Sequence, residues 1–355
     1  QSGEDEEVMV SITDNQLDIY KESVNYLTGY KYLCNEQLAS KLIGLLAYQQ
    51  YMQSKGEKVK VDKAIRPIIH RLTNHQNKHQ LWSWWGNSEN TSFWMSAHIL
   101  RALKMAQDAG YPVELNLNGL KVEYAHTRPY RGMKLEDIEI LHALHEWKVE
   151  ADYSSAVRLL EPFVRQLEQK EDSLANRNKY YRPLSYLKEK LLLWEIKQQV
   201  DSVNVGDSVR PYLKKDMLEG VYCDDGRRTY YWEGNQMINT LIAYRIIKND
   251  PSLCKLKENM QLYILRTKER GWNTYQASSA VATVLTDLLA GSGGMSGTSV
   301  SVSGKDHQRI TEFPYHARLT ASDSLLISKT GKEPLLYSVY SMKRVMNARQ
   351  SDAFK

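Results

Sequence analysis

Gly271–Leu289 reads GWNTYQASSAVATVLTDLL. A tryptophan stands in a loop, the polar pair Asn273-Thr274 follows where a helix cap belongs, and Ala280, Val284 and Leu288 then recur at helical spacing. The pattern has two fainter echoes. Trp85-Gly86-Asn87-Ser88-Glu89-Asn90-Thr91 leads into a stretch carrying Ala97, Leu100 and Leu103, and Tyr231-Trp232-Glu233-Gly234-Asn235 into one carrying Leu241 and Ala243. An aromatic plug, a cap and small residues for close helix contact are what a repeated helix-pair architecture needs. The spacing therefore predicts a mainly α protein, an α/α-toroid of the kind found in terpenoid cyclases, with an irregular helical bundle as the plainer alternative.

Apolar residues recur at three- and four-residue steps over about 16–29, 36–53, 61–74, 91–109, 135–149, 153–169, 172–200, 231–249, 255–268 and 274–290. The period then changes. Ala290–Thr298 holds four glycines, a flexible break, and after it Thr298–Ser303, Arg318–Ser328 and Leu335–Tyr340 alternate with a period of two. The expected organisation is an N-terminal linker over 1–15, a helical domain over 16–290, a Gly-rich linker over 291–297 and a segment of three or four β-strands over 298–355.

The 355 residues include 42% hydrophobic and 25% charged residues, enough to bury a sizeable core and too apolar for wholesale disorder. Forty-seven basic against 42 acidic residues leave a net +5 with no long basic run, so nothing calls for nucleic acid or an anionic membrane. The longest apolar runs, Leu42–Leu46 and Leu191–Trp194, are far too short to span a bilayer. Three cysteines, Cys34, Cys223 and Cys254, argue against a disulfide scaffold. The start, Gln1–Glu7, is polar and acidic with no initiator Met, so the chain is expected to be a processed product or a piece of a longer one.

Chemistry concentrates in Asn25–Met52, NYLTGYKYLCNEQLASKLIGLLAYQQYM. Cys34 and Gln37 stand three apart at the start of an amphipathic helix, where i and i+3 share a face. A thiolate at Cys34 attacking the Gln37 carboxamide carbon, with loss of ammonia, would leave an internal thioester that an amine or hydroxyl could later open. Taken alone, Cys34-Asn35-Glu36-Gln37 reads as a buried helix-start cysteine with Glu36 and Gln37 facing solvent.

The wider stretch resembles the thioester region of the α2-macroglobulin and complement family, its bacterial members above all. Their usual pattern is Tyr-Pro-Tyr-Gly-Cys-x-Glu-Gln followed by small, Ser and basic residues and then Leu; Tyr30, Tyr32, Cys34, Glu36, Gln37, Ser40, Lys41 and Leu42 stand at matching positions. Trp84–Tyr111 is similar to the family's tryptophan-led helix ending in Ala-Gly-Tyr, and Gly271–Leu289 to its Trp-x-Thr-x-Gln-x-Ser/Thr helix. Lys31 and Leu33 depart from the pattern, replacing its Pro and Gly. The resemblance covers about 16–290. It implies a thioester domain of a protease-trapping inhibitor rather than a turnover enzyme, with target proteases captured covalently through lysine amines. It further implies neighbouring macroglobulin domains in the same parent, an adjoining macroglobulin-like β-domain for the tail, and an exported, periplasmic or envelope-anchored parent.

A thioester must stay dry until triggered, and Tyr30 and Tyr32, four and two residues before Cys34, are placed to cover it or simply to pack. Transfer to hydroxyls needs a histidine; His142 and His145 in LHALHEW are the candidates, on a helix face that also carries Leu141 and Leu144. His70, His75 and His79 lie in a polar stretch, and His98 reads as a core histidine. No Cys/His cluster has zinc spacing and no Gly-rich loop precedes a helix, so neither metal nor nucleotide cofactor is expected. Asp224-Asp225-Gly226 and Glu136-Asp137-x-Glu139 resemble the acidic pairs of carbohydrate or isoprenoid enzymes on toroids, but read as a turn and a helix start. Trp82, Trp84 and Trp85 are expected to plug the space between helices rather than form a stacking platform. The alternatives to a trap are thus such an enzyme, or a docking domain that has lost its thioester.

Overall fold

The computed structural model describes residues 6–13, 16–31, 33–54, 56–132, 134–217, 219–229, 236–268, 271–287, 299–303, 307–311, 315–320, 326–330 and 336–343. Tyr32, Tyr231–Asn235 with Trp232, and the Gly-rich 291–297 lie outside them. Contacts divide the chain into Glu22–Asp287, which is mainly helical, and a unit of short antiparallel strands formed by Gln1–Lys21 with Leu288–Lys355.

The main helices are α1 (Gln16–Gly29), α2 (Asn35–Ser54), α3 (Asp62–Asn74), α4 (Phe93–Asp108), α5 (Asp137–Glu146), α6 (Tyr153–Arg177), α7 (Leu187–Val200), α8 (Gln236–Ile247), α9 (Cys254–Thr267) and α10 (Thr274–Ala280). Two kinds of helix are present, and the difference is legible in which residues they bury. In α3 only Ile65, Ile68, Ile69 and Leu72 are buried, one stripe at i, i+3, i+4 and i+7. In α8 all ten residues from Met237 to Ile247 except Arg245 are buried, and in α2 Leu38, Ala39 and Leu42–Ala47 carry almost no exposed surface. A helix apolar all round belongs in the interior.

The interior helices contact one another in succession. Among the described residues α2 lies against α4, α4 against α5, α5 against α7, α7 against α8, α8 against α10, and α10 again against α2. Helices α3, α6 and α9 pack against α2, α7 and α8. Helix starts follow the expected chemistry where a cap is present: the Asp152 carboxylate accepts from the Ser155 N–H ahead of α6, and Asn273 with Gln276 forms a reciprocal capping box ahead of α10. The helix expected over 172–200 is broken. α6 continues to Arg177, Asn178–Tyr186 is irregular, and α7 begins at Leu187, because Pro183 has no N–H to give and restricts the residue before it. A short antiparallel pair, β2 (Leu213–Lys215) and β3 (Val221–Cys223), lies against α8.

In the second unit β1 (Glu6–Thr13) runs between β6 (Tyr315–Thr320) and β8 (Leu336–Lys343), and β4 (Ser299–Ser303) between β5 (His307–Ile310) and β7 (Leu326–Thr330), all antiparallel. Val10 and Ile12 from one sheet and Val300 and Ile310 from the other form one buried cluster, with Tyr315 and Ile327 against it. Two expectations change here. Within the linker expected over 1–15, the described residues 6–13 form a strand: Val8, Val10 and Ile12 alternate with polar or flexible neighbours, and pairing on both edges turns that alternation into the central strand of a sheet. The tail holds five described strands rather than three or four, since Arg318–Ser328 contributes to both β6 and β7.

The tryptophans also sort differently from the expectation. Trp82 is fully buried and its indole N–H donates to the Leu72 carbonyl at 2.7 Å, whereas Trp84 is 41% and Trp85 63% exposed. Trp82 alone is a plug. Trp82→Ala is expected to cost about 3–5 kcal/mol in denaturant unfolding, the range for a buried aromatic, while Trp85→Ala changes stability by less than about 0.5 kcal/mol.

Candidate functional site

Cys34 immediately precedes α2, and its carbonyl accepts the first helical hydrogen bond, from Leu38 N–H at 2.9 Å. It is therefore the cap residue of the helix, with Gln37 at the third helical position. Glutamine there reaches back to the cap backbone, as in half of a capping box. The Cys34 N–H donates to Gln37 Oε1 at 3.1 Å, so the carboxamide is folded toward the cysteine. Cys34 is 4% exposed; burial raises its thiol pKa, hydrogen bonding to Gln37 opposes that rise, and the Glu36 charge adds to it.

Glu36 does not face solvent. It is 3% exposed, its Oε1 accepting from Ser40 Oγ and its Oε2 from Thr274 Oγ1, both at 2.7 Å. Burial raises its pKa and the two hydroxyls pull it back. Ser40 Oγ also lies 3.0 Å from His98 Nε2 and 3.0 Å from Ser278 Oγ. The polar pairs Glu36/Ser40 on α2 and Thr274/Ser278 on α10 thus face each other across the helix contact, with His98 of α4 completing the group. Each pair is an i, i+4 step, and two such polar steps on otherwise apolar helices are the signal that could have revealed this network in the sequence.

The tryptophan loop is tied to the same helix start. Asn35 N–H donates to the Trp84 carbonyl at 3.0 Å, its Nδ2 to the Ser83 and Gly86 carbonyls at 2.8 and 3.0 Å, and its Oδ1 lies 2.6 Å from His75 Nδ1. His75, although it lies in a polar stretch, is half-buried in this junction. Trp84, Trp94, Tyr275 and His98 follow one another in edge-to-face contacts of 5.7, 5.1 and 4.9 Å. On the other side of Cys34, half-buried Tyr30 meets Tyr26 edge-on at 5.9 Å. Tyr26, Trp84 and Trp85 are exposed.

His142 and His145 sit elsewhere. His142 is buried on α5, its Nε2 2.9 Å from Glu195 and its Nδ1 3.1 Å from Arg101 Nη2; burial would lower its pKa, but Glu146 and Glu195 raise it. His145 is half-buried edge-on to Tyr153, with its pKa lowered by burial and by His142. Neither hydrogen-bonds Cys34 or Gln37 among the described residues, and α5 packs on α4 and α7 rather than α2. Asp224-Asp225-Gly226 is a turn closed by its own carboxylates, and Asp137 holds Arg128 and the Lys134 N–H at a helix start. No helix among the described residues is long and apolar enough to cross a membrane.

No family model matches the chain, and no curated protein matches it by sequence. Solved structures do match. A native Escherichia coli α2-macroglobulin fragment running from domain MG7 to the C-terminus aligns with TM-score 0.55 and 16% identity over 98% of this chain and 54% of that one. The single-particle reconstruction of native E. coli α2-macroglobulin aligns at 0.54 and 15%, over 97% and 21%. Salmonella α2-macroglobulin reacted with methylamine aligns at 0.52 and 15%, over 97% and 22%. The chain has the fold of the C-terminal region of bacterial α2-macroglobulins. It spans about a fifth of the length of the longer structures and about half of the fragment.

His98 offers a direct test of how the site is buried. Burial, aided by Arg101, lowers its pKa from 6.5 to about 3. The unfolded chain therefore takes up a proton first as pH falls below about 6.5, and stability is lost down to about pH 3. The expected slope from this group is about 1.4 kcal/mol per pH unit. Denaturant titrations at several pH values should show that slope in the wild type and its removal in His98→Asn.

Proposed function

We propose that this chain is the thioester domain, an α/α-toroid, of a bacterial α2-macroglobulin-like protease trap, joined to strands of an adjoining macroglobulin-like domain. The observation that carries the reading is the hydrogen bond from Cys34 N–H to Gln37 Oε1, which folds the carboxamide back onto the cap residue that bears a buried thiol. The closed succession of helix contacts supports the toroid, and the likeness to bacterial α2-macroglobulins supports the parent.

In forming the thioester, Cys34 Sγ bonds to the Gln37 side-chain carbonyl carbon, the carbon–nitrogen bond breaks, and the thiol proton leaves with the nitrogen as ammonia. On triggering, an amine attacks the same carbon; a new amide forms at Gln37, the carbon–sulfur bond breaks, and sulfur takes the proton as a free Cys34 thiol. The acylation is used once, so the domain is a stoichiometric trap and not a turnover enzyme. With His142 held among Glu195, Glu146 and Arg101, amines such as protease lysines are the acceptors. E. coli α2-macroglobulin has been captured activated by porcine elastase and by trypsin, which supports proteases as the targets. Tyr30 and Tyr32 are proposed as part of the cover that excludes water, the rest coming from other macroglobulin domains of an exported, periplasmic or envelope-anchored parent.

Intact mass spectrometry of the parent protein and of this chain, with and without methylamine, tests the reading. The expected result is a mass short by one ammonia, about 17 Da, and methylamine incorporated at Gln37 with release of a titratable Cys34. Cys34→Ala abolishes both. A full mass in the parent with a freely titrating Cys34, despite Lys31 and Leu33 leaving the fold intact, overturns it and leaves a docking domain.

A further inference from the structure

Within the Glu22–Asp287 unit, a cavity of about 400 Å³ lies among α2, α4, α5, α7, α8 and α10. It shares His98 and Tyr275 with the network next to the Cys34 site, but neither Cys34 nor Gln37 lines it. Trp94, which contacts Trp84 beside that site, begins α4, while Arg101, Lys104 and Asp108, which line the cavity, occupy its second half. Trp94 and Asp108 are about 21 Å apart along the helix, at ~1.5 Å per residue. The cavity reaches solvent past the exposed Asp108 and Gln199.

One wall carries a carboxylate with an unmet need. Glu139 is 6% exposed; its Oε1 accepts from Lys188 Nζ at 2.7 Å, while its Oε2 is buried with no hydrogen-bond partner among the described residues. A buried acceptor left empty costs free energy until a donor arrives. The facing wall carries two guanidinium groups already oriented by carboxylates. Arg101 Nε donates to Glu146 Oε2 at 2.8 Å, and Arg245 donates through Nε and Nη2 to both oxygens of Glu195 at 2.7 Å. Each guanidinium has five N–H groups, so these pairings leave donors over on two groups that line the cavity. Each basic lining residue is paired with a carboxylate, Arg101 with Glu146, Arg245 with Glu195, Lys188 with Glu139 and Lys104 with Asp108, and Leu192, Leu241 and Ile242 supply apolar surface.

We propose that this cavity binds a small hydroxylated carboxylic acid, of the sugar-acid class, its carboxylate facing Arg101 and Arg245 and a hydroxyl donating to Glu139 Oε2. The spare N–H groups of the Arg101 and Arg245 guanidinium groups, beyond those given to Glu146 and Glu195, suit a carboxylate. The donor to Glu139 is a neutral hydroxyl because Lys188 already occupies the other oxygen and repels a second ammonium. The volume suits a monosaccharide-sized ligand, at the lower end of ordinary ligand pockets.

Saturation-transfer NMR and calorimetry on the full chain, with D-glucuronate as the probe, test the proposal. Glucuronate is expected to bind saturably, about tenfold or more tighter than glucose, which lacks the carboxylate, and than cyclohexanecarboxylate, which lacks the hydroxyls. Glu139→Gln should weaken glucuronate about tenfold without changing the weak binding of cyclohexanecarboxylate. The comparison of the three probes on the wild type needs no variant to fold. Absence of saturable glucuronate binding up to about 50 mM, or cyclohexanecarboxylate binding as tightly, overturns the proposal. Neither result bears on the thioester reading, which is read by mass at Cys34 and Gln37.

Discussion

A single carboxylate joins the two ends of the helical unit. Glu36 stands in the first turn of α2 and takes hydrogen bonds from Ser40 on its own helix and from Thr274 at the start of α10, 238 residues away in the chain. An isolated carboxylate buried to this degree would cost several kcal/mol, and each hydroxyl that reaches it lowers that cost. The carboxylate therefore ties α10 to α2 by more than apolar contact, which slides easily, because a shift of either helix strands an acceptor. Ser40 extends the tie to Ser278 and to His98 on α4. The contact that completes the succession of interior helices is thus fixed by directional bonds, and Cys34 stands two residues from Glu36.

The buried cysteine is thus set beside directional polar contacts on one hand and aromatic side chains on the other. Beneath it lie the hydroxyl group cluster and a neutral, buried His98. Beside it the tryptophan loop is held by the Asn35 side chain and backbone, with Trp82 anchored inside through its indole N–H. Tyr26, Trp84 and Trp85 stay exposed. Aromatic surface on a rigid loop loses little conformational entropy when covered.

The helical unit handles its buried charge in a second way further along the interior. Arg101, Glu146, His142, Glu195 and Arg245 form a connected series of ion pairs, and Lys188 pairs with Glu139. Such groups are tolerated inside because each charge has a partner and a hydrogen bond. They also explain why LHALHEW misleads: a histidine on an apolar helix face suggests either packing or catalysis, whereas His142 is a link between Glu146 of its own helix and Glu195 of α7.

What was legible in the sequence is what depends on near neighbours. The 3.6-residue period marks most of the main helices within a few residues, and the i, i+3 relation of Cys34 and Gln37 follows from helix geometry alone. The helix over 172–200 failed for a local reason that was in view, Pro183 among polar residues, and β1 failed because its three alternating apolar residues are too few to distinguish a strand from a linker without a partner. Tertiary structure decided the rest. Which of Trp82, Trp84 and Trp85 goes inside, whether Glu36 faces water or the Thr274 hydroxyl, and whether His142 meets Glu195 depend on segments ten to hundreds of residues distant. Burial of a polar or aromatic group is set by whatever covers it, and one chain position cannot report that. Sequence alone determined the helices and the local pairing at Cys34; packing determined the electrostatic environment in which that pair sits.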